Sequence, residues 1–190
     1  MLALALAGGA QYIAVGDTAP ALRTWSAGFP EEHVNGPGGA GSAPDGQTST
    51  GSVNLNRTNI TEAAFQFQFT DTYRFSTLSP AGATFKVTSP LGLTGEATLS
   101  PGQATAAIVT VPRVCDAPDP EEFNAKNDSE AARIVKARYP ANENGTGDWT
   151  IEVTVTRDYR TPVHPAGGIA WTVTTRLTVY SLDLRERLSA

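Results

Sequence analysis

Between Asp148 and Tyr180 the chain carries two long runs in which apolar and polar residues alternate one for one. The first reads Trp149-Thr150-Ile151-Glu152-Val153-Thr154-Val155-Thr156. The second reads Ile169-Ala170-Trp171-Thr172-Val173-Thr174-Thr175-Arg176-Leu177-Thr178-Val179-Tyr180, and a Pro/Gly-rich turn joins the two. Successive side chains of a β-strand point to opposite faces, so a period of two gives each run one oily flank and one threonine-rich flank. Strands of this kind belong to antiparallel sheets with one face on a core and the other in water.

The same pattern extends upstream. Val53 and Leu55 open a strand. Ala63, Phe65, Phe67 and Phe69 alternate with Ala64, Gln66, Gln68 and Thr70, and three phenylalanines on one flank mark a central core strand. Ala83, Phe85 and Val87 alternate with Thr84, Lys86 and Thr88, and Ser89-Pro90-Leu91-Gly92 ends that strand in a turn. Glu96–Leu99 and Ala104–Val111 read as a hairpin around Ser100-Pro101-Gly102. Short strands with turns at this spacing predict a mostly β protein, an antiparallel β-sandwich of jelly-roll type over residues 53–182. One helical insertion is expected at about 120–139. Asp119-Pro120-Glu121-Glu122 looks like a helix start with acids against the dipole, and Asn127 with Glu130 forms a capping arrangement. Ala131, Ile134, Val135 and Arg138 follow at helical spacing before Pro140.

The remaining segments are less regular. Residues 1–16 contain no charge. They are too short for a membrane-spanning helix of about 20 residues, and they lack the basic start of a signal peptide. Three readings remain open: the end of an anchor, a short signal-like apolar region, or an apolar arm that packs into a sheet of its own or a neighbouring chain. Leu2, Leu4, Leu6, Tyr12, Ile13 and Val15 are its candidate anchoring or subunit-contact residues. Residues 17–52 read as a strand containing Leu22, Trp25 and Phe29, then a Gly/Pro/Ser-rich stretch that is either a spacer or an ordered surface loop. Residues 183–190 read as a tail.

Of the 190 residues, 40% are apolar and only 17% charged. The charged share is below the roughly 25% of average soluble proteins. A net charge of −5 with scattered arginines excludes a basic nucleic-acid surface. Cys115 is the only cysteine, so it is buried and inert or bonded to another chain, and no internal disulfide exists.

Chemistry-bearing motifs are sparse. His33 lies in the Gly/Pro stretch and His164 in the late turn, neither beside a carboxylate or cysteine at metal spacing. Asp116, Asp119, Glu121 and Glu122 offer oxygens for a calcium ion or else form a solvated helix start; no other cofactor is implied. Four Asn-x-Ser/Thr triplets, at Asn56, Asn59, Asn127 and Asn144, are candidate glycosylation sites. Trp149 and Trp171 share the oily flanks of their strands, which favours a core role over a sugar platform, and Trp25 is unassigned. No phosphate loop, nucleophile elbow or His-Glu-x-x-His motif occurs.

Gly145-Thr146-Gly147-Asp148-Trp149-Thr150-Ile151-Glu152-Val153, followed by Ile169-Ala170-Trp171-Thr172-Val173, resembles the last strands of P-domain and galactose-binding-like jelly-roll modules. Phe85-Lys86-Val87-Thr88-Ser89-Pro90-Leu91-Gly92 resembles a hairpin of such modules. The layout of apolar N-terminus, Gly/Ser spacer and Thr-rich sandwich is also similar to anchored β-sandwich ectodomains of prokaryotic, especially archaeal, surfaces. The resemblance implies strand and turn chemistry, not a site.

The expectation is therefore a non-catalytic structural or assembly protein of the cell surface or extracellular space. Its apolar N-terminus would tether it to a membrane or to another subunit, in a homo-oligomer or larger assembly such as a filament built by strand donation. The alternatives are a carbohydrate- or ligand-binding surface module, needing an exposed aromatic such as Trp25, and a virion structural protein.

Overall fold

The computed structural model describes residues 21–157, 159 and 167–187. Strand accounts for 58% of the described residues, against a single short helix, so the protein is mostly β. In chain order the elements are β1 (Arg23–Gly28), β2 (Glu31–Asn35), β3 (Gly39–Pro44), β4 (Thr48–Leu55), β5 (Ile60–Asp71), β6 (Ala81–Thr88), β7 (Thr94–Leu99), β8 (Ala106–Pro112) and β9 (Glu121–Ala125). Then follow α1 (Asp128–Arg138), β10 (Gly147–Arg157), β11 (Gly168–Tyr180) and β12 (Asp183–Arg187).

Two sheets form the sandwich. One has the order β4-β10-β6-β7 and the other β2-β11-β5-β8, with β3 lying in line with β2 along the same edge of β11. The strand pairs β3·β11, β4·β10, β5·β8 and β6·β7 are nested, as if one long antiparallel hairpin had been rolled up. Rolling brings β5 beside β11 and β6 beside β10. This order is compatible with a jelly roll.

Period-two alternation places the oily flanks between the sheets. Trp149, Ile151, Val153 and Val155 of β10 are fully buried, as are Phe65 and Phe67 of β5. Aromatic rings join the two layers: Phe67 stacks on Phe85 at 4.6 Å between centroids, and Phe65 meets Trp149 at 5.3 Å. Such pairs add about 0.5–1.5 kcal/mol beyond the area they bury.

The Gly/Pro/Ser stretch is not a spacer. Residues 31–52 carry β2, β3 and most of β4, all within the sandwich. The glycines that read as loop are there to clear Trp171. A Cβ at Gly41 would lie 2.5 Å from Trp171 Cζ2, and one at Gly51 would lie 3.1 Å from Cη2. A missing side chain here is a packing device.

A third sheet, β12-β1-β9, gathers three distant parts of the chain. Asp183–Arg187, expected in a tail, is a strand paired with β1 from Thr24↔Arg187 to Gly28↔Asp183. Glu121–Ala125, expected in the helical insertion, is a strand on the other side of β1. The helix begins later, at Asp128, where Asn127 Oδ1 accepts from the Glu130 amide at 2.9 Å. Glu130 reaches back to accept from the Lys126 amide at 2.8 Å. The first bond satisfies an orphan donor of the first turn, and the second ties the residue before the cap to the helix. The helix lies on the third sheet, closing a second small core of Trp25, Ala27, Phe123, Ala125, Ala131 and Val135. Phe29 links this core to the sandwich, edge-on to Tyr139 at 5.0 Å and to Tyr180 at 6.0 Å.

Phe67→Ala should cost about 3–5 kcal/mol in urea unfolding. Gly41→Ala should cost about 1–3 kcal/mol, because the Trp171 ring cannot retreat without disturbing the core. A wild-type midpoint for Gly41→Ala would show that the clearance is not needed.

Candidate functional site

Polar side chains gather in two places. The first is the end of the sandwich where β10 stops. Arg157 is the last residue of β10, and its side chain is 0% exposed. Its Nε donates to Asp45 Oδ2 at 2.9 Å, in the turn after β3. Its Nη1 and Nη2 hold Asp71, the last residue of β5, at 2.9 and 2.7 Å. Nη1 also donates to the Ser79 carbonyl, and the guanidinium lies 4.6 Å from the Tyr73 ring centroid. Tyr159 Oη donates to Asp45 Oδ2 at 2.7 Å. One planar fork thus ties together the β3–β4 turn, the β5–β6 connection and the chain leaving β10.

Burial pushes the Asp71 carboxyl up, but hydrogen bonds from Arg157 and the Tyr73 and Ala81 amides outweigh it, so the group sits below its usual range. Burial works against the Arg157 charge, yet the bonds to Asp71 and Asp45 hold its pKa above the ordinary arginine value. The Tyr159 hydroxyl is raised by its bond to Asp45 and by burial. The guanidinium and Asp71 are engaged with one another, while among the described residues Asp45 Oδ1 and Tyr73 Oη are buried without a hydrogen-bond partner.

The second place is the outer face of the five-stranded sheet, where a trough of about 850 Å³ runs along β11. Strand register builds it in rows. His33, Thr178, Glu62 and Pro112 form one, Asn35, Arg176, Ala64 and Thr110 the next, and Thr174, Gln66 and Ile108 a third. The small Ala64 beside Arg176 leaves the floor low. The trough continues into a hollow of about 400 Å³ lined by Arg113, Cys115 and Asp116. Arg113 sits there with φ 56°, a left-handed conformation that costs a non-glycine residue about 1–2 kcal/mol.

The two outer faces differ. On the four-stranded sheet, side chains pair across strands: Lys86 with Glu152 at 3.2 Å, Thr84 with Thr98 at 3.1 Å, Thr48 with Thr154 at 2.7 Å and Asn54 with Asp148 at 2.7 Å. On the five-stranded sheet, the cross-strand side-chain bond among the described residues is His33 to Thr178, 3.1 Å apart. Arg176, Glu62 and Gln66 have no side-chain partner among the described residues.

The remaining sequence candidates fall as follows. Leu2, Leu4, Leu6, Tyr12, Ile13, Val15 and His164 lie outside the described residues. Asp116, Asp119, Glu121 and Glu122 do not converge on a cation. Glu121 pairs with Arg138 at 2.9 Å and Glu122 with Arg187 at 2.9 Å, and no acidic, histidine or cysteine group suited to a metal exists among the described residues. The reason is local: the two glutamates are adjacent on a strand and so point to opposite faces. Asn56, Asn127 and Asn144 are exposed. Asn59 is not equivalent to them. It has φ 61°, accepts from the Asn142 amide at 2.8 Å, and turns its Nδ2 back toward the Tyr180 carbonyl at 3.4 Å. Trp25, Trp149 and Trp171 are 6%, 0% and 3% exposed, so none is a surface platform. Cys115 is buried and donates to the Ile60 carbonyl at 3.0 Å, with burial pushing its thiol up. Both polar gatherings escaped the sequence reading, since each assembles residues from separate strands.

Neither the family models nor the curated proteins compared with the chain match it.

Arg157→Met leaves two carboxylates facing each other without their cation and should cost about 3–5 kcal/mol at pH 7. Arg157→Lys should recover only part of this, because the fork is lost. The unfolded Asp71 titrates near its ordinary 3.8, above the folded value. Its contribution is therefore complete above about pH 5 and disappears as pH falls through the folded value. Thermal unfolding at pH 7 and pH 3 should show the gap between wild type and Arg157→Met narrowing in acid. A gap independent of pH would count against the clasp.

Proposed function

We propose that the protein is a non-catalytic structural or assembly protein of a cell surface or extracellular setting, tethered through residues 1–16 to a membrane or to a neighbouring copy of itself. The observation that carries this reading is the seating of β1. It is the central strand of the third sheet, hydrogen-bonded to β9 on one side and β12 on the other. Residues 1–16 lead into that strand. Load applied through them would be shared by two ladders along the strand's length, and Trp25, 6% exposed, adds its burial against the helix. That is suitable footing for a tether. Among the described residues no helix is long and apolar enough to cross a membrane; this reading assigns attachment to the uncharged 1–16 segment and its Leu2, Leu4, Leu6, Tyr12, Ile13 and Val15. In a homo-oligomer the same segment would add as a strand to an open sheet edge of the next copy, main-chain hydrogen bonds supplying the affinity.

A second reading, a shell-forming virion subunit, is favoured by the rolled strand order, since jelly rolls recur in viral capsids.

Deleting residues 1–16 should give a soluble, folded monomer, while the full chain floats with phosphatidylglycerol-containing vesicles or sediments as an assembly. Electron microscopy of the sedimenting material separates filaments from closed shells. If the shortened chain unfolds, the segment belongs to its own core and the tether is wrong.

A further inference from the structure

We propose that the trough on the outer face of the five-stranded sheet binds an extended, uncharged polysaccharide. The starting point is the difference between the two outer faces: one has its Lys, Asn and Asp side chains and two threonine pairs bonded across strands, while among the described residues the other leaves Arg176, Glu62 and Gln66 without side-chain partners around a depression of about 850 Å³. Ligand clefts fall in the range of about 300–1,000 Å³.

The chemistry of the floor selects the ligand. Arg176 and Glu62 carry opposite charges, so the floor has no net charge to attract a polyanion. A guanidinium, a carboxylate and an amide are planar groups that donate or accept in pairs, which suits the adjacent hydroxyls of a sugar. From Thr174 to Thr178 the trough follows β11 for about 14 Å at the rise of an antiparallel strand, room for two or three sugars of a chain rather than one. Ile108, 64% exposed, is the large apolar side chain at the trough and is available to a sugar's C–H face. One large apolar residue and one alanine do not make the apolar core of a protein interface. Arg113, held in its left-handed conformation at the adjoining hollow, adds a donor at the rim.

The test is affinity electrophoresis of the full chain in native gels cast with hydroxyethylcellulose, glucomannan or a soluble β-1,3-glucan. At least one should retard the protein. Arg176→Ala and Gln66→Ala, both exposed, should each weaken that retardation about tenfold, the loss of one or two hydrogen bonds. Lys86→Ala on the opposite sheet should leave it unchanged, and the unfolding midpoints should match wild type. No retardation in any of the three gels overturns the proposal, as does equal retardation of Arg176→Ala. Retardation by polygalacturonate alone overturns the choice of an uncharged ligand.

Discussion

The two sheets hold together because large rings from one fill the gaps of the other, and the remaining features presuppose that interlock. Phe67 lies between Phe85 across the gap and Trp171 on its own sheet, with Phe65 against Trp149. Interiors pack at crystal-like density, so a ring the size of Trp171 needs space made for it elsewhere. Gly41 and Gly51 provide that space at the sandwich edge. The edge strands can then sit close enough for Asp45, at their turn, to reach Arg157. Packing, glycine placement and the buried ion cluster are thus successive consequences of one requirement.

What the amino-acid order reveals follows from this hierarchy. β5, β6, β10 and β11 are plain to read because each has one flank in the core and one in solvent. β3 and the start of β4 are hidden because their inward positions are Gly39, Gly41, Ala43, Ser49 and Gly51, and such small residues read as a loop unless the tryptophan the glycines accommodate is known. β9 is disguised by Pro120-Glu121-Glu122, which would start a helix equally well, and β12 by the charges an exposed edge strand carries. The true helix is legible at its cap, since Asn127 and Glu130 act locally. The Arg157 cluster and the trough depend on partners as much as 145 positions apart, as with His33 and Thr178. Local pattern carries no trace of such pairings.

The two sheets have become chemically unlike on their outer faces while sharing one interior. Paired threonines, Lys86–Glu152 and Asn54–Asp148 bind neighbouring strands of the four-stranded face to one another. Among the described residues, Arg176, Glu62 and Gln66 of the five-stranded face have no side-chain partner. The loop end is a third environment, where charge is sealed inside by mutual bonding rather than offered to solvent.

The third sheet imposes an order in time. β1 is made before both of its flanking strands, β9 and β12, so Asp183–Arg187 must be synthesised before the strip is complete. Until then Trp25 and the apolar side of the helix have only a partial shelter. Contacts between such distant positions form slowly, and the nascent chain must carry that greasy corner until β12 has emerged to pair with β1.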